Sequence, residues 1–582
     1  MPNQADEKFC DIVMKGGITS GIVYPTAVAQ LAAHWSFKNI GGTSAGAIAA
    51  AATAAAQYGK HTTGKDAFAE LAKISTYLAQ SDARGETNLH ALFQPQATTR
   101  RAYAVTLALL ERSKLSAALT LLRNYWMWAL LGAVPGLKLI VLSWLSASGA
   151  LWLYAMMLGV IVALCGALGL AGWRCVRHTQ RALPKNGHGF CKGFAEGSST
   201  ELTNWLYALL NRLAGLAENE PLTFGHLWGT DEGIDKNGRA INLEMMTTNL
   251  TFGRPQRLPF EQGGYFYDPQ EFARLFPAPV LMWMEQHSKP AETQSHLRTL
   301  PTARDLPVIV ATRMSLSFPL LLSAVPLYVI DRSRAGKTEV IERCWFSDGG
   351  ICSNFPVHFF DSVLPTRPSF AVNLKPFHPD YPDQEVYMPT SNRGGLLSGL
   401  NEIASTGDFL KSVLGAMQNW NDNMQLPLPG YRDRIVHICL NEETEGGLNL
   451  NMPDTVIREV AARGELAADE LIQRYAMNVG IETNWDNHRW VRFRSTLAQL
   501  ETLLQEFQAA YEHDPAYAAM LAREDDAPPN SYRWKTEKQY RFASELIEDL
   551  LAVARKLQDP ATPSLQDGAP NPMPELRVKP RL

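Results

Sequence analysis

The sequence carries almost no excess of charge. Its 582 residues hold 54 Lys+Arg against 58 Asp+Glu, a net charge of −4. That balance argues against a nucleic-acid partner, because proteins that bind polyphosphates cluster excess positive charge. Cysteine is scarce and odd in number, with 7 residues and no C-x-x-C pair. Neither a disulfide framework nor a zinc finger is expected, and a reducing compartment fits best. The opening residues, MPNQADEKFCDIV, contain no apolar run, so no secretory leader is expected. Charged residues make up 19% of the chain and hydrophobic ones 46%, with 14 Trp and 23 Phe. Such a composition excludes a largely disordered chain, and the length suits two or three domains at roughly 100–200 residues each.

Charge is also missing locally. Leu139 to Trp173 contains no Asp, Glu, Lys, Arg or His, and upstream to Tyr125 only Lys138 is charged. A bilayer-spanning helix needs about 20 apolar residues, so this stretch suits two spans and is too long for one. They are expected near Trp126–Ala147 and Leu151–Trp173, the first interrupted by Pro135, Gly136 and Lys138. Trp126, Trp128 and Trp173 would sit as aromatic anchors at one interface. Arg123 precedes the pair, and Arg174, Arg177, Arg181 and Lys185 follow it. Basic flanks on both sides predict a hairpin with both ends cytoplasmic. The alternative is a buried helical hairpin in a large soluble domain.

The remainder reads as an α/β domain split by this hairpin. Strands are expected at Phe9–Met14 and Phe37–Ile40, then beyond the hairpin at Ile241–Leu250, Pro307–Ala311, Pro326–Ile330, Val340–Phe346, Ser369–Leu374 and Arg434–Leu440. Ile22, Val23, Val28, Leu31 and Trp35 keep roughly helical spacing with Pro25 in the first turn, and an Ala-rich helix is expected over Ala45–Gln57. Strands alternating with helices imply a largely parallel sheet. Residues 454–478 and 488–555 look helical, and a proline-rich, disordered tail is expected from Pro560 onward.

Three motifs carry chemistry. Gly42-Thr43-Ser44-Ala45-Gly46 is a G-x-S-x-G elbow between a strand and a helix, where small flanking residues let the backbone turn sharply and expose the serine. Its bland alternative is a tight packing turn. The loop Lys15-Gly16-Gly17-Ile18-Thr19-Ser20-Gly21 closes the first strand on what would be the same carboxyl edge as Ser44. Its amides could face a developing oxyanion. A nucleotide-phosphate cradle is the competing reading, although no G-x-x-x-x-G-K-[ST] stands here. Trp345-Phe346-Ser347-Asp348-Gly349-Gly350, followed by Asn354 and Pro356, ends a hydrophobic strand on a carboxylate that could accept the Ser44 proton. Alone, Asp-Gly-Gly is usually a turn.

Taken in this order, the motifs resemble the patatin-like phospholipase family in its bacterial form, with a membrane hairpin inserted. The resemblance spans roughly residues 9–375, and Arg313-Met314-Ser315-Leu316-Ser317-Phe318-Pro319 is similar to the family's small-residue helix before its Asp motif. It implies a three-layer α/β fold with a mainly parallel central sheet. It also implies a Ser–Asp dyad without histidine: Ser44 as nucleophile, Asp348 as general base, Gly16, Gly17 and Ile18 as oxyanion hole, and Gly42, Gly46, Gly349 and Gly350 as motif glycines. The chain departs from the family's G-G-G-x-[RK]-G at this loop, whether the motif is aligned from Lys15 or from Gly16: a Gly is replaced, and Thr or Ser stands at the basic position.

The implied activity is hydrolysis of a lipid ester, a glycerophospholipid or lysophospholipid, by a phospholipase A or lysophospholipase type of reaction without metal or organic cofactor. The implied organisation has the catalytic domain in two parts, residues 9–124 and 174–445, around a transmembrane hairpin at 125–173. A helical region at 446–556 and a tail at 557–582 follow. Two other readings stand beside it. One is a triad esterase using His358, His378 or His437, which follow Asp348 in suitable chain order. The other is a membrane-anchored scaffold or sensor with a vestigial site.

Overall fold

Short apolar runs become strands in the order the chain meets them: β1 (Phe9–Met14), β2 (Ser36–Gly42), β3 (Gly189–Cys191), β4 (Asn242–Asn249), β5 (Arg254–Leu258), β6 (Tyr265–Tyr267), β7 (Arg298–Thr299), β8 (Leu320–Leu322), β9 (Val325–Ile330), β10 (Ile341–Asp348), β11 (Ser369–Pro376), β12 (Val386–Tyr387) and β13 (Ile435–Leu440). The structure is a computed structural model. It describes residues 7–82, 85–110, 114–146, 149–229, 238–331, 340–393, 403–441, 444–447, 449–480, 482–521, 532 and 534–573. The last part of the expected tail, 574–582, lies outside the described residues.

Eleven strands form one sheet in the order β12-β13-β11-β1-β2-β4-β10-β9-β6-β7, with β5 paired to β4. The five strands β13, β11, β1, β2 and β4 run parallel. Every other pairing in this sheet is antiparallel. The expectation of a mainly parallel sheet is therefore corrected to a mixed one. The reason is connection length: only residues 250–253 separate β4 from β5, whereas a parallel crossover needs a dozen or more. A separate parallel pair, β3 with β8, was not expected.

The central strands are buried on both faces, as the continuous apolar run of β1 requires. Ile12 and Met14 join the main core with Val372 and Val436, while Val13 points to a second cluster with Phe355, Val357, Ala371 and Ile435. Over the larger core lie α1 (Tyr24–Leu31), α2 (Ala45–Thr63) and α3 (Ala67–Ala79), with the helix Asp454–Tyr475 against α1. Pro25 sits in the first turn of α1, where its missing N–H costs nothing. Val308–Ser315 is a helix where the sequence predicts a strand over Pro307–Ala311. All eight of its residues are buried, so tertiary packing on every side overrides the β-branched preference of Val308-Ile309-Val310.

The hydrophobic insertion forms two antiparallel helices, Trp126–Ser146 and Ala150–Ala182. Both are long and apolar enough to cross a membrane. They meet through glycine: a Cβ on Gly132 would lie 2.1 Å from Gly166 O, and one on Gly136 2.2 Å from Ala163 N. Close backbone approach at small residues is the packing expected of helices in lipid. Their large side chains point outward, with Trp144 73% and Leu151 75% exposed. Trp128 and Trp173 touch at one end, where Arg174 and Arg177 lie over their rings. Beyond the core, Trp485–His513 and Glu537–Gln558 pack together. Glu501 in the first of these accepts from Ser564 and from the Leu565 and Gln566 amides.

Candidate active site

Ser44 stands where β2 ends and α2 begins, with φ 55° and ψ −129°. A non-glycine residue seldom adopts positive φ, and such strain persists only where neighbours enforce it. The neighbours here are the motif glycines. A Cβ on Gly42 would lie 2.2 Å from Gly46 O, and one on Gly46 2.3 Å from Met14 O. The Ser44 hydroxyl does not cap α2. It donates to Asp348 Oδ2 at 2.7 Å, across 304 residues of sequence.

Asp348 closes β10 and is 2% exposed. Its other oxygen, Oδ1, accepts from the Gly350 amide at 2.6 Å. Gly349 lets this corner lie against β4, since a Cβ there would meet Met246 O at 2.1 Å. Burial lifts the Asp348 carboxyl to about 7, against the opposing hydrogen bonds from Ser44 and Gly350. A carboxylate so tuned is matched to taking a proton at neutral pH.

The segment Arg313–Ser317 braces Asp348 from behind. Ser317 O accepts from the Asp348 amide at 3.0 Å and from Ser347 Oγ at 2.8 Å. The buried Arg313 donates to Ser317 Oγ at 2.6 Å and to the carbonyls of Lys192 and Ser323. Two backbone carbonyls and one hydroxyl thus take up its charge, as a buried guanidinium requires.

The glycine loop meets Ser44 directly: a Cβ on Gly16 would lie 2.9 Å from Ser44 Cβ and 2.1 Å from Asn354 Oδ1. Gly16 N–H donates to Asn354 O at 2.8 Å, and Asn354 Nδ2 returns a bond to Gly16 O. Thr43 Oγ1 donates to the same Asn354 carbonyl. Gly16 thus spends its amide inside the protein. Among the described residues none accepts from the Gly17 or Ile18 amide. Lys15 extends to Leu374 O at 2.7 Å.

Sequence reasoning missed two residues that hold this arrangement, both on the helix Thr406–Gln425. Asp422, buried, accepts from Ser353 Oγ and from the amides of Asn354 and Phe355. Gln418, one turn earlier, donates to Gly350 O at 2.6 Å. Their spacing of four places them on one helix face. In sequence, however, Asp422 among asparagines reads as a solvated position.

The three histidines lie elsewhere. His437 is held by Asn373 at 2.9 Å and pushed down to about 3 by burial and by Lys375 and Lys15. His378 accepts from the Asp380 amide, and His358 packs edge-on against Phe359. Among the described residues no histidine is hydrogen-bonded to Ser44 or Asp348. Nor do three His, Cys, Asp or Glu side chains converge there as metal ligands would.

Fold and site together define a mixed α/β protein with a buried serine–aspartate pair at a strand-to-helix elbow. No protein-family model matches the sequence. The RpoH suppressor of Rhizobium meliloti (strain 1021) is 36% identical over an alignment of 654 residues, covering 98% of this chain and 99% of that protein. The chain belongs to the family of that RpoH suppressor. Among solved structures, VipD from Legionella pneumophila overlaps 96% of this chain and 90% of its own at 13% identity and a TM-score of 0.24. ExoU–SpcU, a heterodimeric complex of the Pseudomonas aeruginosa type III secretion system, gives 15% identity over 97% and 74% of the two chains at a TM-score of 0.21. Superpositions this loose do not assign a fold.

Proposed function

We propose that the chain is a lipid acyl hydrolase of the patatin-like phospholipase type, working through a Ser44–Asp348 dyad. The observation that carries this reading is the 2.7 Å contact between Ser44 Oγ and a buried carboxylate at the strained elbow. Ser44 Oγ attacks the ester carbonyl while Asp348 takes its proton. The carbonyl oxygen, now negative, faces the Gly17 and Ile18 amides and the amino end of α2. Collapse of the intermediate breaks the ester C–O bond, and Asp348 returns the proton to the leaving alcohol. A water activated by the same carboxylate then cleaves the acyl-enzyme, releasing the fatty acid and restoring Ser44.

The substrate class is a glycerophospholipid or lysophospholipid. Two apolar helices with basic flanks support a two-span anchor holding the catalytic domain on the cytoplasmic side of a membrane. Such an anchor raises the effective concentration of lipid at the site. Labelling with a fluorophosphonate tests the proposal. The wild-type chain should be labelled and its ester hydrolysis blocked, whereas Ser44→Ala should take no label. A folded wild-type chain that neither labels nor hydrolyses any ester would instead be a scaffold or sensor with a vestigial site.

A further inference from the structure

Beside the dyad lies an apolar pocket holding about 660 Å³ of atom-free space, part of it open to solvent. Ile18 of the glycine loop and Ala45, the residue after Ser44, are both in its wall, so one end of the pocket adjoins the elbow that carries the serine. Along α2 its lining residues are Ala45, Ile48, Ala49, Ala52 and Thr53. These fall at helical spacing on one face. At 1.5 Å per residue they extend for about 12 Å. The opposite side is built from α3 and from the helix Leu202–Ala214, which supplies Trp205.

The pocket offers water little to bind. The Tyr24 hydroxyl in its wall donates to Lys15 O, and the Thr53 hydroxyl donates to Ala49 O. A wall with so few free polar groups favours an apolar guest over ordered water. One leaflet of a bilayer is about 15 Å deep in hydrocarbon, half of roughly 30 Å. The face of α2 that lines the pocket, about 12 Å long, is therefore comparable in length with most of one membrane acyl chain.

We infer that α2 is a ruler for the acyl group of the substrate. The chain bound to Ser44 runs along the alanine face of α2, and the side chains at positions 49 and 52 set how much of it enters. Alanine at both positions keeps the channel open; a larger side chain at 49 closes it nearer the serine than one at 52. This inference rests on the acyl-hydrolase reading and adds to it a determinant of chain length.

The test uses the full chain in detergent with p-nitrophenyl esters from acetate to palmitate. Acetate, too short to reach Ala49, is the internal reference. In Ala49→Phe, kcat/KM for dodecanoate relative to acetate should fall at least tenfold. In Ala52→Phe the fall should begin at longer chains than in Ala49→Phe. Ala49→Leu and Ala52→Leu serve if the aromatic variants do not fold, with the same order and a smaller drop. Folded, fluorophosphonate-reactive variants with the wild-type chain-length profile would overturn the ruler and leave the hydrolase reading standing. A wild-type chain inert toward every ester would overturn both.

Discussion

Asp422 Oδ2 accepts the backbone amide of Asn354 at 2.8 Å, and Asn354 in turn holds both the amide and the carbonyl of Gly16. A helix far along the chain is thereby connected to the loop beside the nucleophile. Asp422→Asn replaces a carboxylate that accepts three donors with an amide that can turn its own N–H groups toward them. Hydrogen bonds to a charged group are worth about 1.5–3 kcal/mol each. We expect kcat to fall at least about tenfold at near-constant KM, measured by steady-state kinetics on a soluble ester. A rise in KM alone would mean that the loop grips substrate and does not stabilise the transition state.

Asp348, as the proposed general base, should set the acid side of the pH profile. Burial raises its carboxyl to about 7, so below that pH it is protonated and unable to accept the Ser44 proton. The value of kcat/KM should rise with pH through about 7 and level off above it. A limb near the ordinary carboxylate range would show a solvated base. Asp348→Asn should abolish turnover across the profile, while His358→Ala and His378→Ala should each stay active. Complete loss in either folded histidine variant would sink the dyad.

The same shift has a stability consequence of opposite slope. Between about 4 and 7 the folded chain holds a proton on Asp348 that the unfolded chain has released. This contribution is therefore greatest in acid and is lost as pH rises through about 7. Asp348→Asn should remove it, flattening the dependence of Tm on pH over that interval. An unchanged slope in calorimetry would contradict the burial argument.

At the glycine loop two variants separate crowding from chemistry. A Cβ at position 17 would meet Ser20 Oγ at 2.3 Å, so Gly17→Ala crowds the loop but keeps its amide. Gly17→Pro also removes the N–H. Loss of one oxyanion donor typically costs about 10²–10³ in kcat. Gly17→Pro should therefore fall well below Gly17→Ala in single-turnover acylation. Equal rates would exclude the Gly17 amide as a donor.

The hairpin makes a further prediction. The full chain should resist carbonate extraction from membranes. A version with residues 125–173 replaced by a short polar linker should remain in the soluble fraction and still cleave short-chain esters, because neither motif lies in the removed segment. Recovery of the full chain without detergent would remove the membrane from the proposal.

How much of this was legible follows from what each residue must do. Gly42, Ser44 and Gly46 stand out in sequence because a strained turn tolerates few residue types, and their neighbours fix the same pattern in space. The parallel strands around β1 read correctly as short apolar runs, since both faces are buried. In the antiparallel half β9 and β10 were legible as strands too, but their direction was not, because β-pairing direction depends on connections and not on strand composition. Helix Val308–Ser315 was hidden by its β-branched residues. Asp422 was hidden because a buried carboxylate and a solvated one look alike until their donors are known. Gly136, which reads as an interruption of an apolar helix, is a point of contact between the two hairpin helices.

The separation of 304 positions between Ser44 and Asp348 also parts them in time. Translation proceeds at about 5–20 residues per second, so the serine leaves the ribosome roughly 15–60 s before its carboxylate partner. β1 and β2 emerge early, yet β1 lacks its neighbour β11 until Ser369 and beyond are made. The hydrophobic insertion comes out between these two events. On the proposed reading, a nascent chain accordingly lacks its proton acceptor while its apolar helices emerge, and no hydrolysis can begin until Asp348 is made.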